Sequence, residues 1–319
     1  MSKYFGSWTG TELLHADFPN GKPLIENLIY EHDNVLLVGR EKANKSTLVL
    51  QMMCALSSGE PLFEEFEVPA STNSVYVQAE GKIQNTKSNF ENMRKAVPND
   101  PERMRFIYRH ALPLDTQPGF DFLLNEITKW GRKVDVVFID PLYQSMSGDL
   151  RDQQDASKMT ANLRLLQGSF ECTIVLVHHG HRPIRDERRE VVDEGDDATF
   201  GSFVWKAWPD TVLLMERTKG HKNLRRLSCD TQRMGNVVES VELVLVEPSP
   251  FCLQLRGEAP IDKLVFSNLD ATPKTIEELS TTVRRHRNHV SIALRRLIES
   301  GVAACCNPDK KPLGFVRLR

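Results

Sequence analysis

The sequence predicts an α/β protein with a mostly parallel central sheet flanked by helices, followed by a small C-terminal helix–turn–helix with a hairpin. Three observations carry this. Residues 35–56 read as a buried strand, a polar turn and a helix. Further short apolar runs at 74–79, 134–140 and 172–177 each stop on polar residues and alternate with helix-patterned segments, as in a sheet built from βαβ units. Beyond Thr272 the pattern becomes helix, turn, helix and two short strands.

The bulk properties limit the alternatives. A chain of 319 residues suits one large domain or one large and one small. At 40% hydrophobic and 26% charged it has the make-up of an ordinary globular protein. No apolar run approaches the ~20 residues of a membrane span, and Met1–Gly6 opens no signal sequence. The six cysteines form no C-x-x-C pair and no zinc spacing. A cytoplasmic protein with reduced thiols and no membrane partner is therefore expected. Net charge is −2, but from Thr272 to Arg319 ten Lys/Arg face four Asp/Glu, leaving 31 against 39 elsewhere. A basic tail on an acidic body points to nucleic-acid contact confined to the tail.

In chain order, residues 1–34 supply short apolar pieces that lead into the first strand. Val35-Leu36-Leu37-Val38 then runs into Gly39-Arg40-Glu41-Lys42-Ala43-Asn44-Lys45-Ser46-Thr47, and residues 48–56 continue as helix. The spacing is that of the phosphate-binding loop G-x-x-x-x-G-K-[ST], with Asn44 in place of the second glycine. In such a loop, backbone N–H groups and the helix N-terminus face the phosphates. Lys45 would reach the β- and γ-phosphates, and Ser46 would ligate Mg²⁺. Asparagine tolerates a left-handed backbone better than other non-glycine residues, so Asn44 need not break the turn.

The second strand, 74–79, ends on Glu80-Gly81. A carboxylate at a strand's C-terminal end beside a phosphate loop could orient or deprotonate water. A short third strand is predicted at 105–108 and an amphipathic helix at 119–130. The run Val134–Asp140 ends in an aspartate, Asp140, placed to hold the hydration shell of Mg²⁺. Residues 144–157 read as a polar loop leading to a helix over 159–166. The strand 172–177 ends on His178-His179. A metal site there lacks carboxylate or cysteine ligands at fixed spacing; donation to a γ-phosphate is the better reading. Residues 180–201 are a long charged loop, open to a solvated or a DNA-contacting role. A hairpin follows at 211–230, then antiparallel strands at 241–247 and 251–255.

These features give a nucleotide-binding core at 1–258, a linker at 259–271 and a winged helix–turn–helix at 272–319. Thr275–Glu278 opens a helix with a capping-box pattern, and Gly301 ends the next one. Arg284, Arg285, Arg287, Asn288 and His289 would stand at the start of the recognition helix, with Lys310 and Lys311 in the wing. A protein-docking module is the competing reading of this tail.

The order of phosphate loop, strand-end Glu80-Gly81, strand-end Asp140-Pro141-Leu142, strand-end His178-His179 and Gly201-Ser202 resembles the RecA-like P-loop ATPases. More narrowly, it is similar to the DnaB-related, RepA-like hexameric replicative helicases, over residues 11–247. The resemblance implies ATP and Mg²⁺ as cofactors. It makes Lys45 and Ser46 the phosphate and metal ligands, Glu80 the base for water, Asp140 the second metal-supporting carboxylate, and His179 the γ-phosphate sensor. The family's K-x-R-like element is met in Thr231-Gln232-Arg233 only at its arginine, which makes Arg233 the candidate arginine finger acting on a neighbouring subunit. It also implies a homo-oligomeric ring, with single-stranded DNA on loops 144–157 and 180–199 and duplex DNA on the winged helix. Three functions follow: a DNA-dependent helicase-like motor, an ATP-controlled DNA-binding regulator without unwinding, or a nucleotide-binding docking protein.

Overall fold

The computed structural model describes residues 7–16, 21–180, 184–185, 191–193, 202–218, 220–233, 240–247, 251–256, 261–283, 287–299, 301–306 and 313–318. The chain divides into two units, one of residues 1–62 and 66–254, the other of 255–319 with 63–65.

The first unit opens with helix α1 (Gly10–His15), closed at its start by a Thr9–Glu12 capping box, and a small antiparallel pair, β1 (Pro23–Ile25) and β2 (Ile29–Tyr30). Its body alternates strand and helix: β3 (Asn34–Gly39), α2 (Lys45–Ser58), β4 (Ser74–Gln78), α3 (Ile83–Met93), β5 (Met104–Tyr108), α4 (Gln117–Trp130), β6 (Val136–Asp140), α5 (Gln153–Phe170) and β7 (Thr173–His179). A short antiparallel pair follows, β8 (Ile184–Arg185) and β9 (Val191–Asp193), then helix α6 (Phe203–Ala207). The unit ends with β10 (Thr211–Arg217), β11 (Leu224–Gln232), β12 (Val241–Val246) and β13 (Cys252–Leu255).

Nine of these strands form one sheet in the order β13-β12-β11-β10-β3-β7-β6-β4-β5. From β10 to β5 every pairing is parallel, while β10–β11 and β11–β12 are antiparallel. The predicted mostly parallel α/β sheet is thus observed. Its central strands read as continuous apolar runs because both faces are covered. Leu36 and Val38 of β3 join a core with Phe120, Leu123 and Ile127 of α4, Met159 and Leu163 of α5, and Trp205. Alternation along the strand sends Val35 and Leu37, both fully buried, to the other face. There α2 packs on β3 and β4 with nearly all its residues buried. Gln51 of α2 exchanges two hydrogen bonds with the Leu253 backbone, at 2.9 Å each, tying this helix to edge strand β13.

Two predicted segments are different in the structure. The polar stretch 144–157 is not all loop: α5 begins at Gln153, where Asp152 caps the helix by accepting from the N–H groups of Gln154 and Asp155. The residues before it are tied down, with Ser147 and Gly148 donating to the Asp115 carboxylate.

The predicted linker, 259–271, holds helix α7 (Ile261–Asn268). Val265 and Leu269 are buried in the core of the second unit with Leu279, Leu294 and Phe315. The helix has only eight residues and follows Pro260, so its apolar spacing is too short to stand out. The remainder of this unit is α8 (Ile276–Val283), α9 (Arg287–Glu299) and an antiparallel hairpin, β14 (Ala303–Cys305) with β15 (Phe315–Arg317). The capping box is present: Thr275 N donates to Glu278 Oε2 at 2.8 Å, and Glu278 N to Thr275 Oγ1 at 3.2 Å.

Candidate nucleotide site

The sheet register gathers residues that lie far apart in sequence. Gly39 pairs with His179 across β3 and β7, and Gln78 with Asp140 across β4 and β6. The C-terminal ends of β3, β7, β6 and β4 therefore lie along one edge, where ligands bind in open α/β sheets. Gly39, Lys45, His179, Asp140 and Glu80 are all brought to that edge.

Gly39 must be glycine for packing, because a Cβ there would overlap the Met215 carbonyl of β10. The loop then turns through Arg40–Asn44 into α2. Asn44 takes φ 69° and ψ 32°, the left-handed conformation that the missing glycine required. Lys45 is 4% exposed. Its Nζ donates to the carbonyls of Gly39 (2.6 Å) and Arg40 (3.1 Å) and lies 3.3 Å from His179 Nδ1. Burial lowers the Lys45 pKa to about 8, against the attraction of Asp140, Glu80 and Glu41. Burial, and then the Lys45 charge, push the His179 pKa down. A neutral His179 facing Lys45 can accept at Nδ1 and still donate from Nε2. Its neighbour His178 points the other way and is 2% exposed.

Asp140 closes β6 and is 4% exposed. It accepts from the Tyr76 hydroxyl at 2.7 Å. Burial raises its pKa, opposed by hydrogen bonds from Ser46 and Tyr76 and by the charges of Lys45 and His179. The Ser46 hydroxyl and Asp140 carboxylate thus lie together. Two hard oxygen donors fit a magnesium ion held mainly by phosphates and water. Glu80, two residues beyond β4, accepts a hydrogen bond from Tyr143 and has His179 Nε2 at 3.9 Å from its other oxygen. The Tyr143 and His179 rings meet edge to face at 5.4 Å.

Arg233 lies elsewhere. Its Nη1 donates to Asp210 Oδ1 at 2.9 Å, just before β10 and beside Asn34, at the start of β3. That is the opposite end of the strand that Gly39 closes. Five residues of strand span roughly 16 Å, so Arg233 cannot reach its own loop's phosphates.

Of the tail residues, Arg287 is described and forms a 3.6 Å exposed pair with Glu277. Arg284, Arg285, Lys310 and Lys311 lie outside the described residues, as do the side chains of Asn288 and His289 and most of loop 180–199.

Sequence reasoning missed three site residues: Tyr76, Tyr143 and Arg225. Arg225 carries the one visible signal, a charge at an inward position of a strand. It is 4% exposed, and its Nε and Nη2 donate to Asn44 Oδ1.

Comparisons with known proteins bear on the fold. A family model described as AAA domain matches residues 5–183. Among curated proteins no sequence match is found. Among solved structures, one ATPase domain superposes with a TM-score of 0.52 at 13% identity, over 70% of this chain and 85% of that one. A DnaB-like replicative helicase, solved with its interactions with primase, gives 0.53 at 12% identity, over 76% of this chain and 66% of that one. At such identities the likeness is one of fold.

Proposed function

The chain belongs to the AAA domain family and has a RecA-like ATPase fold, and from that premise we propose that it is a DNA-dependent ATPase working as a homo-oligomeric ring, a replicative helicase or helicase-like motor. The observation that supports this best is the meeting of Lys45, Ser46, Asp140, Glu80 and His179 at one sheet edge. The loop amides and Lys45 bind the phosphates of ATP. Ser46 and Asp140 hold Mg²⁺, which supplies charge neutralisation on the phosphates when bound. Glu80 orients the attacking water and accepts its proton once Tyr143 releases it. His179 Nε2 donates to the γ-phosphate and registers its loss. Arg233 acts on the neighbouring subunit's nucleotide, since its own loop is at the far end of β3.

The C-terminal unit, three helices and a hairpin, is read as a winged helix. It would contact duplex DNA through Arg284, Arg285, Arg287, Asn288, His289, Lys310 and Lys311. Single-stranded DNA is assigned to the core loops 144–157 and 180–199, and the protein to the cytoplasm. The ion pair that occupies Arg233 favours a second reading, an ATP-controlled DNA-binding regulator that does not unwind.

ATP turnover and strand displacement, measured with single- and double-stranded DNA alongside native mass with and without ATP, separate the two. The motor predicts DNA-stimulated turnover, displacement and an oligomer. Turnover without displacement supports the regulator, and absence of turnover contradicts the motor.

A further inference from the structure

Asn44 departs from the phosphate-loop pattern, and the structure gives it a partner that the pattern does not contain. Arg225 is the second residue of β11, deeply buried near the end of the sheet where the loop lies. Its Nε and Nη2 donate to Asn44 Oδ1 at 2.9 and 2.6 Å. Its Nη1 donates to the carbonyls of Lys222 and Leu224 at 2.8 and 2.9 Å. At the other end of the same amide, Asn44 Nδ2 donates to Thr47 Oγ1 at 3.4 Å. The side chain is therefore gripped at both ends while its backbone holds φ 69°.

The fork geometry of a guanidinium suits this grip, and a lysine could not reproduce it. Burial, then the Arg217 charge, lower the Arg225 pKa. This cation sits beside a loop that awaits anionic phosphates, so added negative charge there relieves it.

Resting on the reading of residues 39–47 as a phosphate loop, we propose that Arg225 is a positioning residue for the nucleotide phosphates. It locks Asn44, and so the loop, in the left-handed turn that aims the loop amides. It also sets a fixed positive charge next to them. Through the Lys222 carbonyl it joins the β10–β11 turn to the same lock. A glycine at position 44 would adopt the turn freely but would leave a buried guanidinium without its principal acceptor. The consensus residue is thus the wrong one for this chain.

The test is isothermal titration with a non-hydrolysable ATP analogue and Mg²⁺. The proteins are wild type, N44G, R225M, R225K and N44G/R225M, held well below their melting temperatures, with thermal melts run in parallel. N44G and R225M should each weaken binding about tenfold, the scale of one buried hydrogen-bonded contact. The double variant should be no weaker than the weaker single, and R225K should recover part of the loss. Singles that bind like wild type, even with lowered melting temperatures, overturn the positioning role. So do losses that multiply in the double variant. Should R225M fail to fold, N44G decides alone, because glycine strains nothing there: unchanged or tighter binding overturns the proposal. A wild type that binds the analogue leaves the phosphate-loop reading intact in each of these cases. A wild type that binds none overturns that reading along with the proposal.

Discussion

The central sheet buries charged groups at both ends of its parallel strands and treats them in opposite ways. At the amino ends, the groups satisfy one another. Asp210 accepts from the backbone and side chain of Asn34 and from Arg233, and Thr211 donates to Asp33. At the carboxyl ends, Lys45 donates to two carbonyls and faces a histidine, Ser46 is exposed, and Glu80 is held by one exposed tyrosine. The backbone explains the difference. The carboxyl ends open into loops and the N-terminus of α2, whose unpaired N–H groups favour anions, whereas the amino end beside Asn34 is closed by side chains. A cluster of ionisable residues is therefore not in itself a site; what marks one is polar capacity left facing outward.

The sharpest way to break this contrast is at Arg233, the residue of the closed end to which a role in the open end of a neighbour is assigned. R233A should lower turnover by about 10³-fold with nucleotide affinity unchanged, as for an arginine finger. Mixing R233A with K45A subunits should restore part of the activity, because each supplies the half-site that the other lacks. A chain that stays monomeric with ATP bound would exclude this.

The next effect is at Lys45. K45A should weaken ATP binding roughly 100-fold, the value of a charge-assisted phosphate contact. In the wild type, affinity should fall as pH rises through about 8, where burial places the Lys45 pKa, because the free site then loses its cation. Titration calorimetry from pH 7 to 9.5 reads this directly.

A smaller change is expected at Tyr143. Its hydroxyl occupies the Glu80 carboxylate, so Y143F should raise turnover by up to about fivefold, the worth of one hydrogen bond, without altering nucleotide affinity.

The smallest effect is at the closed end. Burial, then Asp210, raise the Asp33 pKa to about 7. The folded chain binds this proton more tightly than the unfolded chain does. The associated stability is complete below about pH 4, the ordinary aspartate value, and is lost as pH rises through about 7. D33N should remove that slope and melt roughly 2–4 °C above wild type at pH 8, with turnover unchanged.

Much of the open end was legible in the sequence because its signals are local. The strand–turn–helix of 35–56, the αL tolerance of Asn44, and polar residues closing apolar runs at Glu80, Asp140 and His179 are each read within a few positions. A parallel sheet then aligns those run-ends without further information. The contacts of Tyr143, Tyr76 and Arg225 were illegible because their partners are 63, 64 and 181 positions away. No periodicity encodes a contact between a strand-exit tyrosine and a glutamate at the end of another strand. Helix α7 was missed for a different reason: its apolar face meets a core assembled from the helices after it, which its own eight residues cannot announce.

The central claim is that the open end is a hydrolytic site with Glu80 as its base. Single-turnover hydrolysis of ATP by E80Q, with nucleotide affinity measured on the same protein, tests it most directly. Loss of a general base should slow the chemical step by about 10²–10⁴-fold while affinity stays within about twofold of wild type. An E80Q protein that hydrolyses ATP at the wild-type rate would contradict the claim.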